Sequence, residues 1–403
     1  MAAISGITLD GRGTDKRYRS AIALHLTKQC SFSKVEQLED WEFELSQGSG
    51  FLVARRKESL NREASLRDGY EKAERFLDII SFESSETVEI MAPGRSYVLL
   101  FERDGRSILE RVVTSDNPMS IQLTITQLDS DGQAVPPPPV PPAMWIPALR
   151  FYRLSQASRN PYEAYRNLWL GLEALLSVAA PKNRNEKEGI WLRRSLGQIA
   201  GSLNLTHEVP NGVNLVEYVM QRHYTAMRCN LFHAKIGATF TSPQMPTVEE
   251  ALDAYAELIR IWRAIAVHIG RLRFVGSGLI TYAGYAKTMS SIFSTVSFHA
   301  TEDNALPTAT DTDVSPNNRM IINFDLSTHT GMVAPGRVEN LGTIDISSNG
   351  RLPIFHRITT SVGDRLYSVD YIMGGLDVNG VDHFEYRQGW RLLNTGVPRT
   401  HFD

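Results

Sequence analysis

Apolar and polar positions change rhythm twice along this chain. Up to about residue 135 the apolar residues come in short runs or strict alternation. Ala21-Ile22-Ala23-Leu24-His25-Leu26 reads as a strand, weakened by its alanines. Thr87 to Ile90 and Tyr97 to Phe101 flank the turn signal Pro93-Gly94. Ser120 to Thr126 alternates polar and apolar, as a half-buried strand does. One helix is predicted inside this region, around Arg62 to Ile79, where Ala64, Leu66, Tyr70, Ala73 and Phe76 recur at roughly helical spacing.

A second rhythm, of threes and fours, holds from residue 143 to about 275. Asn160-Pro161-Tyr162-Glu163 is a helix start: Asn160 caps, Pro161 suits the first turn, and Glu163 reaches back as in a capping box. The stripe Tyr165, Leu168, Trp169, Leu172, Leu175, Leu176 and Ala179 follows, and Pro181 ends it. A second helix carries Leu192, Leu196, Ile199 and Leu203. A third, after Pro210-Asn211-Gly212, carries Val216, Val219, Met220, Tyr224, Met227 and Leu231. A fourth opens at the capping box Thr247-Val248-Glu249-Glu250 and runs through Trp262 to Ile269. Such helices with short to medium loops predict a bundle. The prolines between Pro136 and Pro142 predict a stiff spacer in front of it.

From Gly276 the period of two returns. Ile321 to Leu326 and Ile354 to Ile358 are predicted strands, and Pro335-Gly336, Asn349-Gly350 and Asn379-Gly380 are turn signals. Glu302 to Asn318, acidic and threonine-rich, is expected to be a mobile loop. Ala-Pro-Gly-Arg occurs at 92–95 and again at 334–337, a recurrence that a common turn explains. The predicted class is therefore α+β. A β-rich domain spans 1–135, a linker 136–142, an all-α bundle 143–275 and a second β-rich domain 276–403.

Charge sharpens this division. The chain has a net charge of −3, yet residues 143–275 hold 16 Lys and Arg against 10 Asp and Glu, a local +6. A basic segment between acidic flanks is compatible with a polyanionic partner, and equally with solvated helix faces. No apolar run is long enough for a membrane span, and no signal-peptide pattern opens the chain. Two cysteines, Cys30 and Cys229, fit free thiols in a reducing, cytoplasmic setting. Phosphate-loop, nucleophile-elbow and Cys-x-x-Cys motifs are absent, and no metal or cofactor is expected.

The chemistry-bearing segment is Arg228-Cys229-Asn230-Leu231-Phe232-His233, at the end of the third helix. Arginine holds phosphate in a fork, and histidine exchanges protons near neutrality. Together with Tyr165-Arg166-Asn167-Leu168-Trp169-Leu170-Gly171-Leu172-Glu173 some fifty residues earlier, this segment resembles the HEPN superfamily. The likeness is to the branch of ApeA-like defence proteins and methylamine-utilisation accessory proteins. It covers roughly residues 145–275, about a third of the chain.

The resemblance implies a helical bundle that dimerises. It also implies a metal-independent endoribonuclease, active in anti-phage or stress defence, with a composite site built from two copies. On that reading Arg228 and His233 are the catalytic pair, Asn230 supports them, and Glu173 matches an acidic position of the earlier helix. Arg222, His223 and Lys235 are candidate RNA contacts, with a solvated face as the plainer expectation for each. The implied partners are RNA and a second copy of the chain, with a phage-derived or regulatory partner reached through the β-rich parts. Two points keep a second reading open. The residue after the arginine, polar in the family, is Cys229 here. Five residues also span about 140° of an ideal helix, so Arg228 and His233 share a face only if the helix ends or bends. The alternative is a non-catalytic dimerisation scaffold or accessory protein.

Overall fold

A computed structural model of the chain describes all residues except 12–16, 85–87, 92–94, 120–125, 137–143, 159, 211, 233–245, 247, 271–286, 288–289, 335–336 and 395–403. The class is α+β. The chain forms two compact units. One comprises Met1–Ser115, Thr288–Val333 and Arg337–Arg391, and the other comprises Asp116–Lys287, Ala334–Gly336 and Leu392–Asp403.

The first unit carries the strands. In its N-terminal part these are β1 (Ala2–Ile4), β2 (Ile7–Thr8), β3 (Ser20–His25), β4 (Lys34–Leu38), β5 (Trp41–Leu45), β6 (Phe51–Arg56), β7 (Ser96–Arg103) and β8 (Arg106–Met119). Its C-terminal part adds β9 (Val296–Thr301), β10 (Ile321–Asn323), β11 (Leu326–Ala334), β12 (Arg337–Asp345), β13 (Phe355–Val362), β14 (Arg365–Val378) and β15 (His383–Asn394). They build a nine-stranded sheet, β11-β12-β15-β8-β7-β3-β6-β5-β4, and a six-stranded sheet, β10-β9-β13-β14-β1-β2.

The expected pair of flanking β-domains is thus corrected to a single unit. β1 pairs antiparallel with β14, Ala2 opposite Val378, and β15 lies between β12 and β8. The physical reason is that an unpaired strand edge exposes its N–H and C=O groups, and here each half supplies edges the other covers. Ion pairs cross the same seam: Arg111 meets Asp370 at 2.9 Å, and Arg387 meets Glu110 at 2.8 Å.

Helix α1 (Arg62–Glu83) covers one sheet face, as its spacing predicted. It lies so close at Gly69 that an added Cβ would come within 2.8 Å of Ile22 and 3.0 Å of Trp41. Phe76 stacks on Phe43 with ring centroids 4.8 Å apart. Three other expectations meet a different outcome. Of the strand at 87–90, only Ile90 forms a described bridge, to Leu26. Residues 120–125 of the strand expected at 120–126, and most of the proline run, lie outside the described residues. The stretch 302–318, expected to be mobile, is tied down. Asp303 accepts from Ser315 Oγ at 3.0 Å and from Asn317 N at 2.6 Å, while buried Arg357 reaches Asp311 at 2.8 Å.

The second unit is helical: α2 (Ala148–Ala157), α3 (Pro161–Ala179), α4 (Glu188–Ser202), α5 (Leu215–Tyr218), α6 (Cys229–Phe232) and α7 (Val248–Gly270). A π-helical segment, Val219–Arg228, joins α5 to α6 without a break. Asn160 caps α3 as expected, accepting from Tyr162 N at 2.9 Å and Glu163 N at 3.2 Å. The Glu163 side chain turns forward to Arg166 at 2.6 Å instead of completing a capping box. α3 forms the centre of the bundle. At Gly171 an added Cβ would lie 2.9 Å from Trp262 of α7 and 3.3 Å from Phe151 of α2, so this glycine sets how closely the three helices approach.

Candidate functional site

The π segment decides which side chains can meet. Its hydrogen bonds run five residues back, as from Cys229 N to Tyr224 O, so each turn takes more residues than an α-helical turn. Thr225 Oγ1 donates to the same kind of carbonyl, Met220 O, at 3.0 Å. Burial then recurs every four residues, at Val219, His223, Met227 and Leu231. One position further on, Tyr224, Arg228 and Phe232 form a second row. The Arg228 guanidinium sits 5.6 Å from the Tyr224 ring centre and 5.2 Å from that of Phe232. An arginine flanked by aromatic rings on both sides is held by its stem and its π faces as well as by charge.

Two carboxyls converge on this arginine from other helices. Glu188, the first residue of α4, accepts from Arg228 Nη2 at 2.7 Å. Glu173 of α3 lies 3.8 Å from the same nitrogen. Glu173 also accepts from Trp169 Nε1 at 2.6 Å, which fixes its rotamer from the i−4 position. Burial, together with a hydrogen bond that the protonated Glu173 donates to the Glu188 carboxylate, pushes Glu173 up to about 7. Two acids facing one cation explain this: a single guanidinium neutralises one of them, and the other does best by holding a proton. The trio is neutral when Glu173 is protonated and carries −1 when it is not. Burial also raises the Cys229 thiol, so Cys229 is a half-buried thiol and not an activated nucleophile.

The remaining candidates separate from this cluster. Asn230 spends its amide on the carbonyl of Ala226, at 2.8 Å on its own helix. Arg222 pairs with Glu257 of α7 at 3.0 Å. His223, for which a solvated face was expected, is instead fully buried. The wider π winding turns it inward beside Tyr165, whose hydroxyl lies 3.3 Å from its Nδ1. Burial, with Arg222 nearby, lowers its pKa to about 3, so it stays neutral, and it has no surface with which to meet a phosphate. His233 and Lys235 lie outside the described residues.

The residue pattern missed Glu188, Tyr224 and Arg166. Tyr224 counted as core, yet it is half-buried under Arg228. Arg166 Nε donates to Leu231 O at 3.2 Å, giving the last turn of α6 a cationic cap. Among the described residues no group of three or more His, Cys, Asp or Glu is placed to hold a metal ion. Nor is any described helix long and apolar enough to cross a membrane.

A family model described as methylamine utilization protein MauJ matches residues 148–270. The match begins at the first residue of α2 and ends at the last of α7, so it coincides with the bundle and takes in the Arg228 cluster. No curated protein and no solved structure matches the chain.

Proposed function

We propose that the helical unit is a HEPN-type endoribonuclease that works without a metal. The observation that carries this is the meeting of Arg228, Glu173 and Glu188, with Glu173 raised to about 7. A phosphate-binding cation next to a group that exchanges protons near neutrality is what transesterification of RNA requires. The 2′-oxygen attacks phosphorus and the bond to the 5′-oxygen breaks. The 2′-hydroxyl proton is taken up, and the leaving oxygen receives one. His233 is assigned the proton transfers and Arg228 the charge on the phosphorane. A protonated Glu173 leaves the guanidinium's positive charge less compensated, which favours an arriving phosphate. Two copies of the chain are proposed to complete the site.

A second reading, a non-catalytic bundle or an accessory protein, is favoured by one distance. Glu188 holds Arg228 Nη2 at 2.7 Å, as a structural ion pair would. Full-length protein incubated with RNA in EDTA separates the two readings. The nuclease leaves 2′,3′-cyclic phosphate and 5′-hydroxyl ends, and both Arg228→Ala and His233→Ala abolish cutting. If His233→Ala cuts as well as its parent, the role given to His233 is wrong. If the parent cuts no RNA and the Arg228→Ala, His233→Ala double variant still dimerises, the bundle is a scaffold.

A further inference from the structure

Five of the six tryptophans are buried: Trp41, Trp169, Trp191, Trp262 and Trp390. Trp145 is 70% exposed. It borders an open groove of about 470 Å³ that it lines with Leu149, Arg150 and Arg153 of α2. Arg150 and Arg153 are exposed neighbours one turn apart. Several other arginines of the bundle are neutralised, Arg194 by Glu186, Arg222 by Glu257 and Arg260 by Glu208. Arg150 and Arg153 have no carboxylate partner among the described residues, and α2 itself, Ala-Leu-Arg-Phe-Tyr-Arg-Leu-Ser-Gln-Ala, contains no acidic residue.

We infer that this groove binds single-stranded RNA, one base stacked on Trp145 and the adjoining phosphates on Arg150 and Arg153. An exposed aromatic face beside unpaired guanidinium groups is the combination that holds an unpaired strand without reading its sequence. A water-exposed indole offers a stacking plane, and arginine suits phosphate oxygens better than a point charge does. Charge favours RNA over a second copy of the chain, because the described lining of the groove is basic and carries no acidic residue with which a copy's Arg150 and Arg153 could pair. The choice of ligand rests on the ribonuclease reading. The surface itself is separate from the Arg228 cluster in residues and in role: it holds substrate and does no chemistry.

The test uses the full chain and a fluorescein-labelled, fully 2′-O-methylated oligouridylate, which can bind but cannot be cut. Fluorescence anisotropy should show Trp145→Ala binding roughly tenfold more weakly and Trp145→Phe close to the parent. Arg150→Glu with Arg153→Glu should weaken binding more, and should lower the slope of log affinity against log salt by about two. All three positions are exposed, so unfolding midpoints should stay at the parental value. With cleavable RNA at saturation, Trp145→Ala should cut at the parental rate, whereas His233→Ala should bind and not cut. Unchanged affinity in both groove variants would overturn the inference while leaving the nuclease reading intact. Absence of parental binding, or a groove variant that turns a dimer into a monomer in sedimentation, would also overturn it, the latter by showing that a second copy occupies the groove.

Discussion

The β unit and the helical unit each centre an ionic cluster, with opposite stoichiometry. In the β unit one fully buried carboxylate, Glu110, takes Arg62 on one oxygen and Arg387 on the other, both at 2.8 Å. In the helical unit one arginine faces two carboxyls. Two cations on one anion occupy both oxygens of the buried carboxylate, so the cluster is fixed in place. Two anions on one cation leave a proton to be placed, and Glu173 holds it up to about 7. The first arrangement joins strands from the two ends of the chain. The second responds to the medium. The contrast teaches that the count of opposite charges, more than the presence of an ion pair, separates a structural cluster from a chemically poised one.

The largest expected effect tests the structural half. Glu110→Ala removes the buried anion that Arg62 and Arg387 share, leaving Arg387 the more distant Glu339 at 3.4 Å, and should cost about 3–5 kcal/mol. Urea unfolding at neutral pH measures this. A loss below about 1 kcal/mol would mean that solvent already satisfies Arg62 and Arg387, and the β cluster would no longer be the fixed member of the comparison.

The next effect is one of pH. Glu173 binds its proton more tightly when folded, about 7 against an ordinary 4.5. Between those values the folded chain holds more protons than the unfolded one, so this group's contribution to stability is full below about 4.5 and is lost as pH rises through about 7. The loss should be about 2 kcal/mol after allowance for the carboxyl's partial exposure. His223 acts in the opposite sense. Its pKa is lowered to about 3, so its contribution is present above 6.5 and is lost as pH falls toward 3. The stability of the parent minus that of Glu173→Gln, followed across pH, isolates Glu173. A flat difference curve would mean that Glu173 is an ordinary surface acid.

Cleavage should follow the same proton with a smaller effect. If a protonated Glu173 prepares Arg228 for phosphate, the parental rate falls toward tenfold per pH unit above about 7, about 1.4 kcal/mol per decade. Glu173→Gln, fixed in the neutral form, should lack that alkaline limb. A variant that keeps it would transfer the limb to another group.

How much of this was readable in the residues differs between the two clusters. α3 was legible because its start, stripe and stop are local: Asn160-Pro161, the three-four spacing and Pro181 act within a few residues of one another. Arg228 and Glu173 were also legible as candidates. Glu188 was not, since an acidic residue opening a helix reads first as a partner for the helix dipole. The π winding was hidden for a related reason. Apolar positions at 216, 220, 224, 227 and 231 fit an α-helix about as well as 219, 223, 227 and 231 fit a wider one, and tertiary packing decides between them. The merging of the two β regions was beyond a local reading. Alternation marks a strand but carries no label for its partner, and Ala2 finds Val378 across nearly the whole chain.

The smallest effect probes what holds Arg228 in place apart from charge. Arg228→Lys keeps the cation for Glu188 but loses the planar group between Tyr224 and Phe232. Two such contacts at a half-buried site are worth about 1 kcal/mol together, so lysine should destabilise the helical unit by about that much. Phe232→Leu should remove about half of it, and combining Phe232→Leu with Arg228→Lys should cost less than the sum, because each change has already removed the same contact. Strict additivity in that cycle would show that the rings only shield the ion pair. The Arg228 cluster would then be held by charge alone, and the difference between the two units would reduce to their stoichiometry.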